Sequence, residues 1–218
     1  LSLNKSASFH QFASSTLDIV PKILLTVDNK FFIIWRKRHY FLTDYIKGRT
    51  FNGSDSDTIS ILNALKALQN SGREFTRNKN TPTEVLEQIE SYEVARLIPL
   101  IEKYIGSKRE NLIYKRIIEC IELLKKEYLL LPRDEYIMSH SDFIIFNLIF
   151  NDSGVIAIND FDNVKRLPKL HDLAEFLVSA TMLNYVGYVT NMKLPVFLEP
   201  QKKKFKLIIK SYKLDFSI

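Results

Sequence analysis

The sequence predicts an α+β chain, and three observations predict it. Short β-branched and aromatic runs cluster before residue 46 and again between residues 136 and 158. Long stretches with apolar residues at helical spacing lie between and after them. The 218 residues are 46% hydrophobic and 12% aromatic, ample for a packed core in one large domain or two small ones.

Composition also limits the partners. A single cysteine, Cys120, excludes a disulfide within the chain and points to a reducing cytoplasm. No signal peptide and no apolar run long enough to span a bilayer is seen, so no membrane partner is expected. The net charge of +6 permits attraction to phosphates. The densest basic run, Lys202, Lys203, Lys204 and Lys206, reads as a solvated helix face, and no basic and aromatic alternation supports a nucleic-acid partner.

Residues 6–17 carry Phe9, Phe12, Ala13 and Leu17 at helical spacing and read as a short helix that Val20-Pro21 should end. Residues 22–27, 31–35 and 40–45 are strand-like, separated by a turn at Asp28-Asn29-Lys30 and by residues 36–39, which suggests a small antiparallel sheet. Gly48 then marks a hinge after the last strand. A helix over 55–70 is expected, capped by Asp55 or Asp57, with Ile59, Leu62, Leu65 and Leu68 on one face. Polar residues 73–81 read as a loop. Further helices are expected over 82 to about 104, where Pro99 is a kink, and from a capping-box spacing at Ser107 and Glu110 to about 130, with Ile113, Ile117, Ile121 and Leu124 inward. Two more follow over 168 to about 186 (Leu173, Phe176, Leu177, Ala180 inward) and 201–212 (Phe205, Ile208, Ile209 inward).

The chemistry concentrates in residues 137–172. The apolar runs 136–138, 148–150 and 155–158 are too short for helices, and Asn151-Asp152-Ser153-Gly154 is a turn between the last two. This hairpin separates one polar cluster, His140, Asp142 and Asn147, from another, Asp160 and Asp162. Taken singly, each is an ordinary loop residue. Together they offer what phosphoryl transfer needs: a carboxylate to accept a hydroxyl proton, and hard oxygen donors for Mg²⁺ to neutralise phosphate charge. His140, Asp142, Asp160 and His171 would also suit a zinc or manganese hydrolase, although no HxH, HExxH or CxxC pattern accompanies them.

On these residues the sequence resembles the aminoglycoside phosphotransferase, choline kinase and homoserine kinase group, which has a protein-kinase-like fold. His140-Ser141-Asp142-Phe143-Ile144-Ile145-Phe146-Asn147 is similar to its HxDxxxxN catalytic loop. Ile158-Asn159-Asp160-Phe161-Asp162 is similar to its metal-binding IDFD segment, at a similar distance from Asn147, and His171-Asp172-Leu173-Ala174 resembles its DLA motif. The resemblance implies an enzyme that uses ATP and Mg²⁺ on a hydroxyl of a small molecule. It implies Asp142 as catalytic base, with His140 as a second catalytic residue, and Asn147 and Asp160 as metal ligands, with Asp162 an auxiliary charge at the metal. It further implies Asp172 as a brace of that loop, and the backbones of Asp44 and Ile46 as the contacts of adenine. The implied domains are a partial small lobe over 1–47 and a mainly helical lobe over 48–218.

The resemblance stops short near the N-terminus. The group has a glycine-rich loop, a strand lysine and a helix glutamate there. None is identifiable: five residues precede the first expected helix, that helix has no acidic residue, and Lys5 is the one lysine in the right order. The expectation is therefore a small lobe shortened at its N-terminus, and a catalytically impaired scaffold of the same fold stays open beside the kinase. No residue names the acceptor, since Glu87, Glu90 and Glu93 suit a cationic substrate or a wet helix face alike.

Overall fold

A computed structural model describes residues 2–78, 136–181 and 202–212, with the isolated helical positions 115, 119, 122, 123 and 126. The expected helix over 82–104, most of that over 107–130 with Cys120, and residues 182–186 lie outside the described residues.

Helix α1 (Ser2–Thr16) starts earlier than its apolar spacing suggests and buries Phe9 and Ala13 fully. Four short strands follow: β1 (Ile23–Leu24), β2 (Ile33–Trp35), β3 (Arg38–Tyr40) and β4 (Leu42–Thr43). The turn expected at Asp28-Asn29-Lys30 forms, with Asn29 left-handed at φ 58° and its N–H on the Thr26 carbonyl at 2.9 Å. The expected single sheet does not. Instead β1 pairs with β4 and β2 with β3, each ladder antiparallel. The reason is a tighter turn than the sequence suggested. Arg36 and Lys37 both take positive φ, 46° and 64°, so a two-residue loop closes β2 onto Arg38 and His39, and Tyr40 belongs to β3 rather than to the strand after it.

Helix α2 (Asp55–Asn78) is the centre of the core, packing on α1, β5 (Tyr136–Ser139) and β7 (Gly154–Ile158). Its buried face is Ile61, Leu62, Leu65, Leu68 and Phe75, whereas Ile59 is exposed. Its cap is Ser54, whose Oγ accepts the Asp57 N–H at 3.1 Å. Asp57 itself turns back to the Arg49 guanidinium, 2.7 and 2.8 Å, and the Asn52 amide, 3.2 Å. The polar run after residue 72 continues the helix instead of leaving it as a loop. Thr76 explains why: its hydroxyl donates to the Gly72 carbonyl (2.7 Å) and accepts the Met138 N–H of β5 (3.0 Å). Gly72 is thus a contact point, since a Cβ there would stand 2.0 Å from the Met138 carbonyl oxygen. Gly72→Ala should lower stability by about 3 kcal/mol, against the ~1 kcal/mol that alanine brings to a helix, and chemical denaturation would read the loss.

Strand β5 pairs with β8 (Lys165–Pro168), and β6 (Leu148–Asn151) with β7 as the expected hairpin. Residues 165–168 are therefore strand, and helix α3 (His171–Thr181) begins three residues later than Pro168 suggested, because Pro168 ends the ladder opposite Tyr136. Helix α4 (Lys202–Tyr212) lies on α2 and α3. It buries Ile208 and, unexpectedly, Lys204, while Phe205 is exposed. The Lys204 ammonium is held by the Gly53 carbonyl, by Thr58 Oγ1 at 3.3 Å and by Asp55 at 3.7 Å, and these acceptors bring a cation to the start of α2 against the helix dipole. The architecture is α+β, and among the described residues no helix is long and apolar enough to cross a membrane.

Candidate active site

Two loops leave the sheets side by side. The first follows β5 and runs through His140, Ser141 and Asp142 into a single 3₁₀ turn, Ile145–Asn147; the second follows β7 and runs through Asn159 and Asp160 into another, Phe161–Asn163. Both need left-handed backbone at a non-glycine residue, Ser141 at φ 65° and Asp160 at φ 67°. Such conformations cost of order 1 kcal/mol each and persist where surrounding contacts hold them.

Those contacts are explicit. The buried carboxylate of Asp172, at the start of α3, accepts the N–H groups of His140 (2.9 Å) and Ser141 (2.8 Å). Further along α3, Glu175 Oε2 accepts the Phe143 N–H (2.9 Å) and Ser179 Oγ the Ile145 N–H (3.3 Å). Phe143 points into the core and is fully buried. The loops are tied to each other by the Asn159 N–H on the Asn147 carbonyl, 2.8 Å.

The ring of His140 is completely buried. Its Nε2 lies 2.8 Å from the Asn159 carbonyl, which can only accept, so Nε2 carries the proton and Nδ1 is left without a partner among the described residues. Burial lowers its pKa to about 4, outweighing the bond to Asn159. The ring meets Phe161 edge-on at 4.6 Å, and Phe161 stacks on His10 of α1 at 4.5 Å. His140 therefore sits behind the loops, where it joins the second loop to the first. Neither histidine of the zinc alternative supports it: the His140 ring is fully buried against Phe143 and Phe161 with Nε2 on Asn159, and His171 Nε2 is 3.3 Å from Glu175. Among the described residues no group of three or more His, Cys, Asp or Glu side chains forms a metal site.

Asp142 and Asn147 are hydrogen-bonded to each other, and Asp160 acts electrostatically on both Asp142 and Asp162. The Asn147 amide NH₂ donates to both the carbonyl (2.9 Å) and Oδ2 (3.1 Å) of Asp142, which leaves its amide oxygen as the end available to a cation. Desolvation raises the Asp142 pKa, aided by the negative charges of Glu175 and Asp160 and opposed by the bond from Asn147. Asp162 is raised in the same way, by desolvation and then by Asp160. The negative charge of Asp160 thus disfavours the ionised forms of both Asp142 and Asp162.

Asp160 also opens onto a cleft of about 310 Å³, where residues 43–46 face Ile149, Asn159 and Phe161. Asp44 and Ile46 are thus among the residues that line the same cleft as Asp160. The Asp44 N–H is bonded to the Lys22 carbonyl at 3.1 Å. Gly48 lets the chain cross β6 closely, since a Cβ there would lie 2.5 Å from the Phe150 carbonyl oxygen. The next residue bonds that strand in both directions, Arg49 N–H to Phe150 O (2.8 Å) and Phe150 N–H to Arg49 O (2.9 Å). A larger pocket of about 430 Å³ among Leu24, Phe32, Trp35 and Leu42 has apolar walls and no charged side chain, so it offers a phosphate no cationic partner.

Glu175 and Ser179 had escaped the sequence reading, although a helical period running on from Asp172 points to both. The Arg49 and Asp57 pair had no sequence signal at all, because its partners come from a loop and a helix.

No protein-family model and no curated protein matches the sequence. Solved structures match its fold. Amicoumacin kinase in complex with AMP-PNP and Ca²⁺ superposes with a TM-score of 0.66 at 14% identity, covering 98% of this chain and 63% of that one. Spectinomycin phosphotransferase in complex with ADP and spectinomycin gives 0.62 at 16%, covering 97% and 64%. Choline kinase from Cryptosporidium parvum gives 0.56 at 14%, covering 94% and 59%. The chain thus spans less than two thirds of the length of these three proteins, and it has the protein-kinase-like fold of aminoglycoside phosphotransferases and choline kinase.

Proposed function

We propose that this chain works as an ATP- and Mg²⁺-dependent phosphotransferase acting on a hydroxyl of a small molecule, in the cytoplasm. The observation that supports it most is the hydrogen bond from Asn147 to Asp142, with Asp160 acting on Asp142 electrostatically and itself lining a cleft with residues 43–46. In this reading residues 1–47 hold the adenine side of the site, through the Asp44 carbonyl and the Ile46 amide, and residues 48–218 carry the chemistry. Asn147 and Asp160 would hold Mg²⁺, with Asp162 close by; bound there, the ion supplies charge neutralisation to the phosphates. Asp142 accepts the hydroxyl proton as the substrate oxygen bonds to the γ-phosphorus and ADP leaves. Its raised pKa makes it a better base than a solvated aspartate. His140 acts from behind, keeping the two loops in register.

The test is nucleotide binding by the 218-residue chain with and without Mg²⁺. ATP should bind, and Mg²⁺ should tighten it in wild type but not in Asp160→Ala, as calorimetry would read. Absence of ATP binding at millimolar concentration would remove the reading. A second reading, a scaffold of the same fold, has one observation in its favour: α1 offers His10 rather than an acid to the neighbourhood of Phe161. It predicts no thermal shift with MgATP.

A further inference from the structure

One face of α3 lies along the first loop as a row of acceptors: Asp172, Glu175 and Ser179 take the N–H groups of His140, Ser141, Phe143 and Ile145. These positions are three and four residues apart, so they share a helix face. Among them Glu175 is the acceptor for the peptide unit that joins Asp142 to Phe143. The N–H of that unit is on Glu175 Oε2 at 2.9 Å, and its carbonyl accepts from the Ile144 N–H and the Asn147 side chain, both at 2.9 Å. A peptide plane held from both sides fixes the backbone rotation at Asp142, and with it the direction of the side chain. The other oxygen of Glu175 is 3.3 Å from His171 Nε2, one turn earlier in α3, and both side chains are 26% exposed.

We propose that Glu175, clamped by His171, is the positioning residue that aims the Asp142 carboxylate. For the role of Asp142 the inference rests on the phosphotransferase reading; the contact itself stands apart from it. His171 is faced by Glu175, Asp172 and Lys165. Burial disfavours its imidazolium, but the bond and charge of Glu175, with Asp172, outweigh burial and the repulsion from Lys165, so its pKa is raised. Glu175 is disfavoured as an anion by burial, yet the His171 bond and charge, the Phe143 N–H and the nearby His140 hold its pKa below the ordinary range. The clamp is therefore strongest while His171 is protonated and weakens as pH rises through its pKa.

The experiment compares wild type, Glu175→Ala and Glu175→Gln in the full chain, using amide hydrogen exchange over residues 140–145, MgATP affinity, and ATP hydrolysis with water as the surrogate acceptor. In Glu175→Ala the Phe143 amide should exchange about tenfold faster or more and kcat should fall about tenfold, with KM and MgATP affinity unchanged. Glu175→Gln keeps an oxygen for the Phe143 N–H, so protection and most of kcat should return, while the pH dependence of Phe143 exchange that comes from His171 is lost. Unchanged Phe143 exchange in Glu175→Ala overturns the proposal, as does a loss that appears in KM rather than kcat. Wild type silent toward ATP would end the phosphotransferase reading and with it the aiming of a base; the exchange result would then decide only whether Glu175 holds the loop.

Discussion

Replacing Asp142 with asparagine should slow Mg²⁺-dependent ATP turnover by about 10²–10⁴-fold, the usual effect of removing a general base, with MgATP affinity changed by less than about twofold. The asparagine oxygen can still accept the bond that Asn147 donates to Oδ2 at 3.1 Å, so the loop keeps its geometry and only proton acceptance is lost. Affinity should be spared because the cleft proposed to take the nucleotide is lined by residues 43–46, Ile149 and Asp160, and Asp142 is not among its walls. ADP release followed with a panel of small hydroxyl compounds would measure both quantities. Equal turnover in the two proteins would take the base away from Asp142.

Asp172→Asn should change the way stability depends on pH. Burial raises the Asp172 pKa from 3.8 to about 6 although two N–H groups favour its anion. A raised folded-state value means stability that is present below pH ~4 and lost as pH climbs through ~6, about 3 kcal/mol in all. His140 acts with the opposite sign. Its pKa is depressed from 6.5 to about 4, so its contribution is present above pH ~6.5 and lost as pH falls through ~4, again about 3 kcal/mol. In wild type the two trends oppose each other across the same window. In Asp172→Asn the first is gone, and the variant should gain about 3 kcal/mol between pH 4 and 6.5 that wild type does not. The variant also presents an NH₂ where one of the two loop amides needs an acceptor, which should destabilise it at every pH. Urea unfolding at half-unit pH steps would read both effects, and parallel pH profiles for the two proteins would reject the assignment.

The sequence was most legible where period and turn chemistry act locally. The hairpin at 151–154, the apolar core of α2 and the order of polar residues from His140 to Asp172 all follow from short-range rules. It was least legible where a distant partner decides the outcome. Residues 73–78 are polar by composition, yet Thr76 and Phe75 are held by β5 and the core, and they stay helical. Lys204 is buried and Phe205 exposed because carbonyl and hydroxyl groups at the start of α2 call for a cation. In the site, the spacing of Asp142, Asn147 and Asp160 could be read from the chain, but the inward turn of His140 depends on Asn159 and Phe161, which only the folded loops bring beside it.

The crossing at Gly48 and Arg49 has a mechanical consequence. Arg49 is fastened to Phe150 through two backbone bonds and to Asp57 through a bidentate ion pair, so from this residue onward the chain moves with the helical body. Any rocking of the short strands over that body would be absorbed between Asp44 and Lys47, which includes residues lining the cleft. On the other side of the strands it would be absorbed after Ile19, whose carbonyl accepts the Ile158 N–H. Opening the cleft and reorienting its hydrogen-bonding groups would then be a single motion, with β6 as the fixed jaw.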